Sequence, residues 1–309
     1  MGRGKSKDSL PTGEGESSDH SNPTLNLTSK MRHRSTLWPA LALTAPLVLF
    51  LALAYALPFL GVAMWSVTLP EPGVGQYERL VGDPLVLSVF LRTFRICLIV
   101  TAIAVACAYA VTYVWVRGSR MQRRLIEISI FVPFWISLLT RAFGWLALLS
   151  NRGILNSWLQ GLGLIDSPLT LVRNEPSVIA GMVHVLIPFA VLPLASAMRA
   201  VDERVLLAAQ GMGASRLRIF WSVFLPMTLP GVIGATLIVF VFSLGFFVTP
   251  AILGGGRSIM VAELVYLRMF QSPDWGLGAA ISVALVVIVA GLMALLARFA
   301  RLGLTGGGR

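Results

Sequence analysis

Six stretches of mostly apolar residues dominate this chain of 309 residues, at about 37–67, 88–116, 125–150, 177–198, 229–252 and 276–297. Each approaches or exceeds the roughly 20 helical residues that cross a bilayer core. In lipid, backbone polar groups must be satisfied within the segment itself, so runs of this length fold as helices. Hydrophobic residues make up 56% of the chain and charged residues 13%, against about a quarter charged in a soluble domain. The expected fold class is an all-α polytopic membrane protein with six transmembrane helices. No connecting loop exceeds about 30 residues, which leaves no room for a soluble catalytic domain.

Charge sets the orientation. The connector "RGSRMQRR" at 117–124 holds four arginines and no acid. Placing it in the cytoplasm puts 17 of the 25 Lys and Arg on that side, with both termini cytoplasmic. This is the positive-inside bias of an inner-membrane protein. It accounts for the net charge of +11 without a nucleic-acid partner. The localisation that follows is a bacterial inner membrane, crossed several times.

Residues 1–36 are polar, rich in Ser, Gly and mixed charge, and read as a disordered cytoplasmic tail. A signal peptide is the rival reading, but the tail and the run after it are too long for one. Residues 37–309 form the membrane domain. Cys97 and Cys107 fall in one run; ten helical residues separate them by about 15 Å, too far for a disulfide. Both read as buried small apolar residues. Arg92 and Arg95, near the start of the second run, are expected to snorkel to headgroups. Glu127 is expected to pair with Arg123 or Arg124 on its own helix.

The connector between the fourth and fifth runs, at about 200–226, is more elaborate than a simple link requires. It reads "LLAAQGMGASRLRIFWSVFLPMTLPG" over 206–231. Ala208 and Ala209 offer a surface with almost no side chain, open to close approach by another backbone. Gly211 and Gly213 let the chain leave a helix, since glycine reaches positive φ without strain. A second, amphipathic helix is expected over 214–224. Leu225-Pro226 is expected to end it, because the residue before proline is pushed out of the α region. The result is a compact helix-turn-helix at the membrane face, shaped to be gripped from the cytoplasm.

This pattern resembles the cytoplasmic loop of binding-protein-dependent ABC importer permeases, in which Glu-Ala-Ala is followed after three residues by Gly, and after nine more by Ile, one residue, and Leu-Pro. Ala208, Ala209, Gly213, Leu225 and Pro226 match by identity, and Val223 replaces Ile. Leu207 stands where the family usually has Glu, with Asp202 and Glu203 as nearby acids. The stretches "FVPFWISLLTRAFGW" (131–145), "VHVLIPFAVLPLASAMRAVD" (183–202) and "TPAILGGGRSIMVAELV" (249–265) resemble the spermidine/putrescine branch, as the first of two different permease subunits. The resemblance implies a type I importer permease fold and a small-solute path, with a polyamine among the cargoes. It implies an ABC ATPase dimer as the engine, a second permease subunit, and an external solute-binding protein. The chain itself is expected to be no enzyme and to bind no cofactor or metal. It has no G-x-x-x-x-G-K-[ST] phosphate loop, so ATP and Mg would be used by the partner.

Four residues stand out as candidates for the path. Arg141 is an intramembrane charge, which is costly and usually functional; it lines the path, pairs with a partner's acid, or snorkels. Trp135 and Trp145 offer aromatic faces to a cation or serve as packing. His184 is a proton relay or a hydrogen-bonded packing residue. The competing function is a secondary transporter or channel driven by an ion gradient, which predicts repeated halves and intramembrane acids.

Overall fold

The computed structural model describes the backbone of residues 24–305, and side chains for 43–294 and Arg298. Helix α1 covers Thr24–Thr68 and so begins inside the stretch read as an unstructured tail. Residues 1–23 lie outside the described ones. The chain up to Phe59 forms a unit of its own, and Leu60–Arg309 forms a second.

A short helix, α2 (Gly75–Gly82), leads into α3 (Pro84–Arg117). Asp83 caps α3 by accepting from the Leu85 amide at 2.9 Å, and Pro84 supplies a preset φ at the first helical position. The 34 residues of α3 extend about 51 Å, well beyond a hydrocarbon core of about 30 Å. Next, α4 (Arg120–Trp135) opens on a capping box between Ser119 and Gln122. Helices α5 (Leu138–Leu149), α6 (Ile154–Gly161) and α7 (Glu175–Arg199) follow. Asn174 caps α7 through the Ser177 amide at 3.0 Å. Then come α8 (Glu203–Gly211) and α9 (Arg216–Ile219), a π-helical turn at Phe220–Phe224, and α10 (Leu225–Leu244). A second π turn, Pro250–Gly254, precedes α11 (Val261–Tyr266), a third covers Leu267–Gln271, and α12 runs over Trp275–Thr305.

Among the described residues, five helices are long and apolar enough to cross a membrane, and six if the bent pair of α4 with Leu138–Gly161 counts as one span. The expected third span is therefore not a continuous rod, because its halves meet at 106°. Pro133 lacks the amide that an α-helix needs. The chain closes α4 with a tight bond from the Ile136 amide to the Pro133 carbonyl, 3.1 Å. Ile136 is then extended and α5 starts afresh.

The core is a bundle of α3, α7 and α10. Ile96, Val100 and Ala104 meet Met182, Leu186 and Leu194 of α7 and Ala235 and Val239 of α10, all fully buried. Gly231 permits the tightest crossing. A Cβ there would lie 2.4 Å from the Ala197 Cβ and 3.0 Å from the Pro193 carbonyl oxygen, so α7 and α10 touch backbone to backbone. A smaller cluster joins Val86, Val89 and Phe90 to Val261, Leu264, Leu277 and Ile281.

Three local expectations are corrected. Arg95 does not snorkel; it reaches Glu175 at the start of α7 at 2.5 Å, and Arg92 approaches the same carboxylate at 3.8 Å. Glu127 accepts from the Trp115 indole at 3.0 Å, while Arg123 bonds to the carbonyls of Trp115 and Val116. In both cases the partner comes from a neighbouring helix. Cys97 is buried as expected, but Cys107 lies on the outward side of α3 and is exposed.

Candidate functional site

The elbow formed by α8 and α9 begins at Asp202, whose carboxylate accepts from the Arg204 amide at 2.9 Å and so caps α8. Its end explains the spacing of the motif. Gly213 is left-handed, with φ at +83°. The Ala214 amide reaches back to the Ala209 carbonyl at 3.2 Å, and the Gly213 amide to Gln210 at 3.0 Å. These are the two crossed bonds of a Schellman close. Gly213 is the residue that close calls for, one without a Cβ at C′. Gly211 does not break the helix; it is the last residue of α8, with open space around it. Of the alanine pair, Ala209 is buried and Ala208 is exposed.

Ser215 then caps α9 through the Arg218 amide at 3.3 Å. The second helix does not stop at Leu225-Pro226. It runs through the π turn into α10, and Arg216–Leu244 forms one span-length helix. Pro226 cannot donate to the carbonyl four residues back, and its ring crowds that carbonyl. The π turn meets this by widening the helix, and the Leu225 amide bonds to Phe220, five residues back. Proline here changes the hydrogen-bond register without ending the helix. Val223 and Leu225 are half-buried and Pro226 is exposed.

Helix α3 grips the elbow from the side. Tyr113 sets its ring edge-on to Phe220 and Phe224, with centroids 5.8 and 5.4 Å away. Arg117 bonds to Glu203 at 2.7 Å and lies 5.5 Å from the centre of the Phe224 ring. Glu203 is the acid that pairs, whereas Asp202 is used in capping. Leu207, in the usual Glu position, is 64% exposed and borders a groove of about 200 Å³ with Tyr113, Gln210 and Phe220. Tyr113 and Arg117 carry no motif signal, and only the fold brings them to the elbow.

Three of the four path candidates come together. The Trp145 indole on α5 donates to His184 Nδ1 on α7 at 3.2 Å, which places the proton of a neutral imidazole on Nε2. Arg141 sits one turn before Trp145, and its Nε is enclosed without a partner. Trp135 stands apart at the end of α4, 87% exposed. A cavity of about 620 Å³ beside α3 and α10 is lined by Leu98, Val105, Val232 and Phe240, and by none of the four candidates.

The helical multi-pass fold and its capped elbow, continuous with a span, define a membrane transport subunit. Residues 102–302 match the family model of binding-protein-dependent transport system inner membrane components. The chain belongs to that family and is an inner-membrane ABC importer permease. It is 34% identical over 220 residues to the spermidine/putrescine transport system permease protein PotB of Escherichia coli (strain K12), covering 71% of this chain and 79% of the relative. The namesake in Haemophilus influenzae is 32% identical, covering 67% and 73%. The inner membrane ABC transporter permease protein YdcU of Escherichia coli (strain K12) is 24% identical, covering 71% and 74%. Among solved structures, a chain of a bacterial alginate ABC transporter in complex with alginate pentasaccharide-bound periplasmic protein superposes with a TM-score of 0.75. It is 16% identical, and the match covers 87% of this chain and 96% of that one. That likeness is one of fold. Membership of the permease family sets aside the ion-gradient transporter.

Proposed function

We propose that this permease carries a linear polyamine inward, driven by an ABC ATPase dimer that grips the elbow from the cytoplasm. A second permease subunit completes the path, and an external solute-binding protein delivers the cargo. ATP and Mg are used in the ATPase subunits, and both termini lie in the cytoplasm. The polyamine reading is supported by the names and similarity of the PotB relatives. Arg141 and His184 would form a fixed polar point of the path. Leu207, Ala208 and the exposed Met212, Leu217 and Trp221 would form the gripping surface, apolar where the family commonly offers a carboxylate.

The observation that carries this reading is continuity. The elbow's second limb and a bilayer-length span are one helix, Arg216–Leu244, so a pull on the elbow becomes a movement of the span. Deleting residues 208–213 should abolish both cargo uptake and co-purification of the ATPase while the chain still inserts in the membrane. ATPase retention by the deleted chain would reject the role given to the elbow.

A further inference from the structure

Four arginines from three parts of the chain gather near one carboxylate, at the ends of the core helices away from the elbow. Arg95 and Arg92 of α3 lie 2.5 and 3.8 Å from Glu175 at the start of α7. Arg92 also donates to the Arg257 carbonyl at 3.3 Å. The stem of Arg173 lies on Gly255, where a Cβ would come within 2.6 Å of the arginine Cγ. The stretch of α3 from Arg95 to Arg117 is about 33 Å long. The cluster and the elbow therefore stand on opposite sides of a hydrocarbon core of about 30 Å.

One carboxylate cannot match this charge. Among the described residues, Arg173 and Arg257 take part in no ion pair, and both are exposed. Arg79 and Arg268, on the same side, are instead held by Asp274 and Asp83. The two unpaired arginines nevertheless stand on fixed backbone. Arg173 is left-handed, with φ at 58°, a conformation that a residue with a Cβ keeps only where its surroundings impose it. Its amide donates to the Leu253 carbonyl at 2.7 Å, and Ser177 Oγ donates to the same carbonyl at 3.1 Å. The Arg257 amide donates to the Gly254 carbonyl at 3.1 Å, and Gly254 is packed between Ser258 and Val178. Two free guanidinium groups on rigid connectors lower the ordering cost of a contact.

Unmatched surface charge steers an oppositely charged partner and sets its orientation. The cargo proposed above is a polycation and is repelled here, so the occupant is the protein that carries it. Arg173 and Arg257 lie just before α7 and just after the second π turn, on connectors beyond the core helices. We infer that Arg173 and Arg257, with Arg92 and Arg95 beside them, form the surface on which the external solute-binding protein docks through carboxylates on its membrane-facing side. This rests on the delivery by such a protein proposed above and gives it a place.

The test is binding of the purified solute-binding protein encoded beside this permease to the complete transporter in phosphatidylcholine nanodiscs, at low and high salt. Uptake by cells with and without that protein is measured alongside. Arg173→Gln combined with Arg257→Gln should raise the Kd about tenfold or more at low salt and flatten its salt dependence. Arg173→Lys combined with Arg257→Lys keeps the charge, and should keep the salt dependence and stay within about threefold. The chain's own lysines, Lys5, Lys7 and Lys30, all precede the first apolar run. Carbodiimide, which joins an amine to a carboxylate, should therefore link the lysine variant to the binding protein through an introduced lysine, read by mass spectrometry of the joined peptides. An unchanged Kd in the glutamine variant would overturn the docking surface and leave delivery standing. If that variant also sheds co-purified phosphatidylglycerol, the cluster is a lipid site. If the unaltered transporter does not bind the protein, or cells without it take up cargo equally well, delivery fails and the docking surface fails with it. Loss of the ATPase or the second permease subunit from the glutamine variant would make the pair structural and also overturn the proposal.

Discussion

A single residue decides how the elbow closes. Gly213 holds φ at +83°, where a side chain costs about 1–2 kcal/mol. Gly213→Ala should loosen the end of α8, weaken ATPase retention and speed hydrogen exchange at the Ala214 amide. Gly213→Asn, which tolerates the left-handed region, should stay near the unaltered protein in both. Glu263 makes a second prediction at this scale. Its carboxyl is raised above its ordinary value of 4.5 because burial disfavours the charge. Well below 4.5 the group is protonated both folded and unfolded, and it carries no penalty. As pH climbs from there through the raised folded value, the unfolded chain ionises first and folding loses stability. The melting temperature of the ligand-free protein should fall across that window. Glu263→Gln should flatten the fall, and a slope identical to that of the unaltered protein would remove Glu263 as its source.

At the scale of elements, the π turn fixes the rotation of the elbow about α10. Deleting Ser222 removes its extra residue and would turn α9, with α8 attached, by about 100° around the helix axis. The Tyr113 contacts to Phe220 and Phe224 would then be lost. Uptake and ATPase retention should both collapse while α10 still inserts; retention of both would show that register does not matter. The same elements mark how far the sequence could be read. Hydropathy located the long apolar helices among the described residues, because lipid leaves a run such as 177–198 little choice but a helix. Gly213 pointed to the end of a helix, because a left-handed close is local. Pro133 and Pro226, by contrast, are equally good terminators by local rules. One sits at a 106° break and the other in an uninterrupted helix, and the difference lies in whether neighbours let the backbone widen. The partners of Glu127, Arg95 and Glu203 come from other helices. Arg95 and Glu175 are 80 positions apart, and no periodicity on one helix signals such a pair.

For the whole molecule, orientation is the property that every functional statement requires. A cysteine placed at Gln210 or Arg120, in a chain with Cys97 and Cys107 replaced, should be shielded from a membrane-impermeant thiol reagent in intact cells. One at Glu71 or Asp166 should be labelled, and the reverse pattern would place the elbow on the wrong side of the membrane for an ATPase. The path candidates were legible as residue types, but only the fold joins Arg141, Trp145 and His184 and leaves Trp135 aside. Contact between α7 and the stretch from α10 to the second π turn is close at two points. Gly231 of α10 meets Ala197 near the elbow, and a Cβ on Gly181 would strike Thr249 and Leu253, beyond the end of α10. Held at both points, α7 and this stretch resist sliding past each other. Any stroke that enters at the elbow must swing them as one slab, and the slip plane falls on the looser flanks.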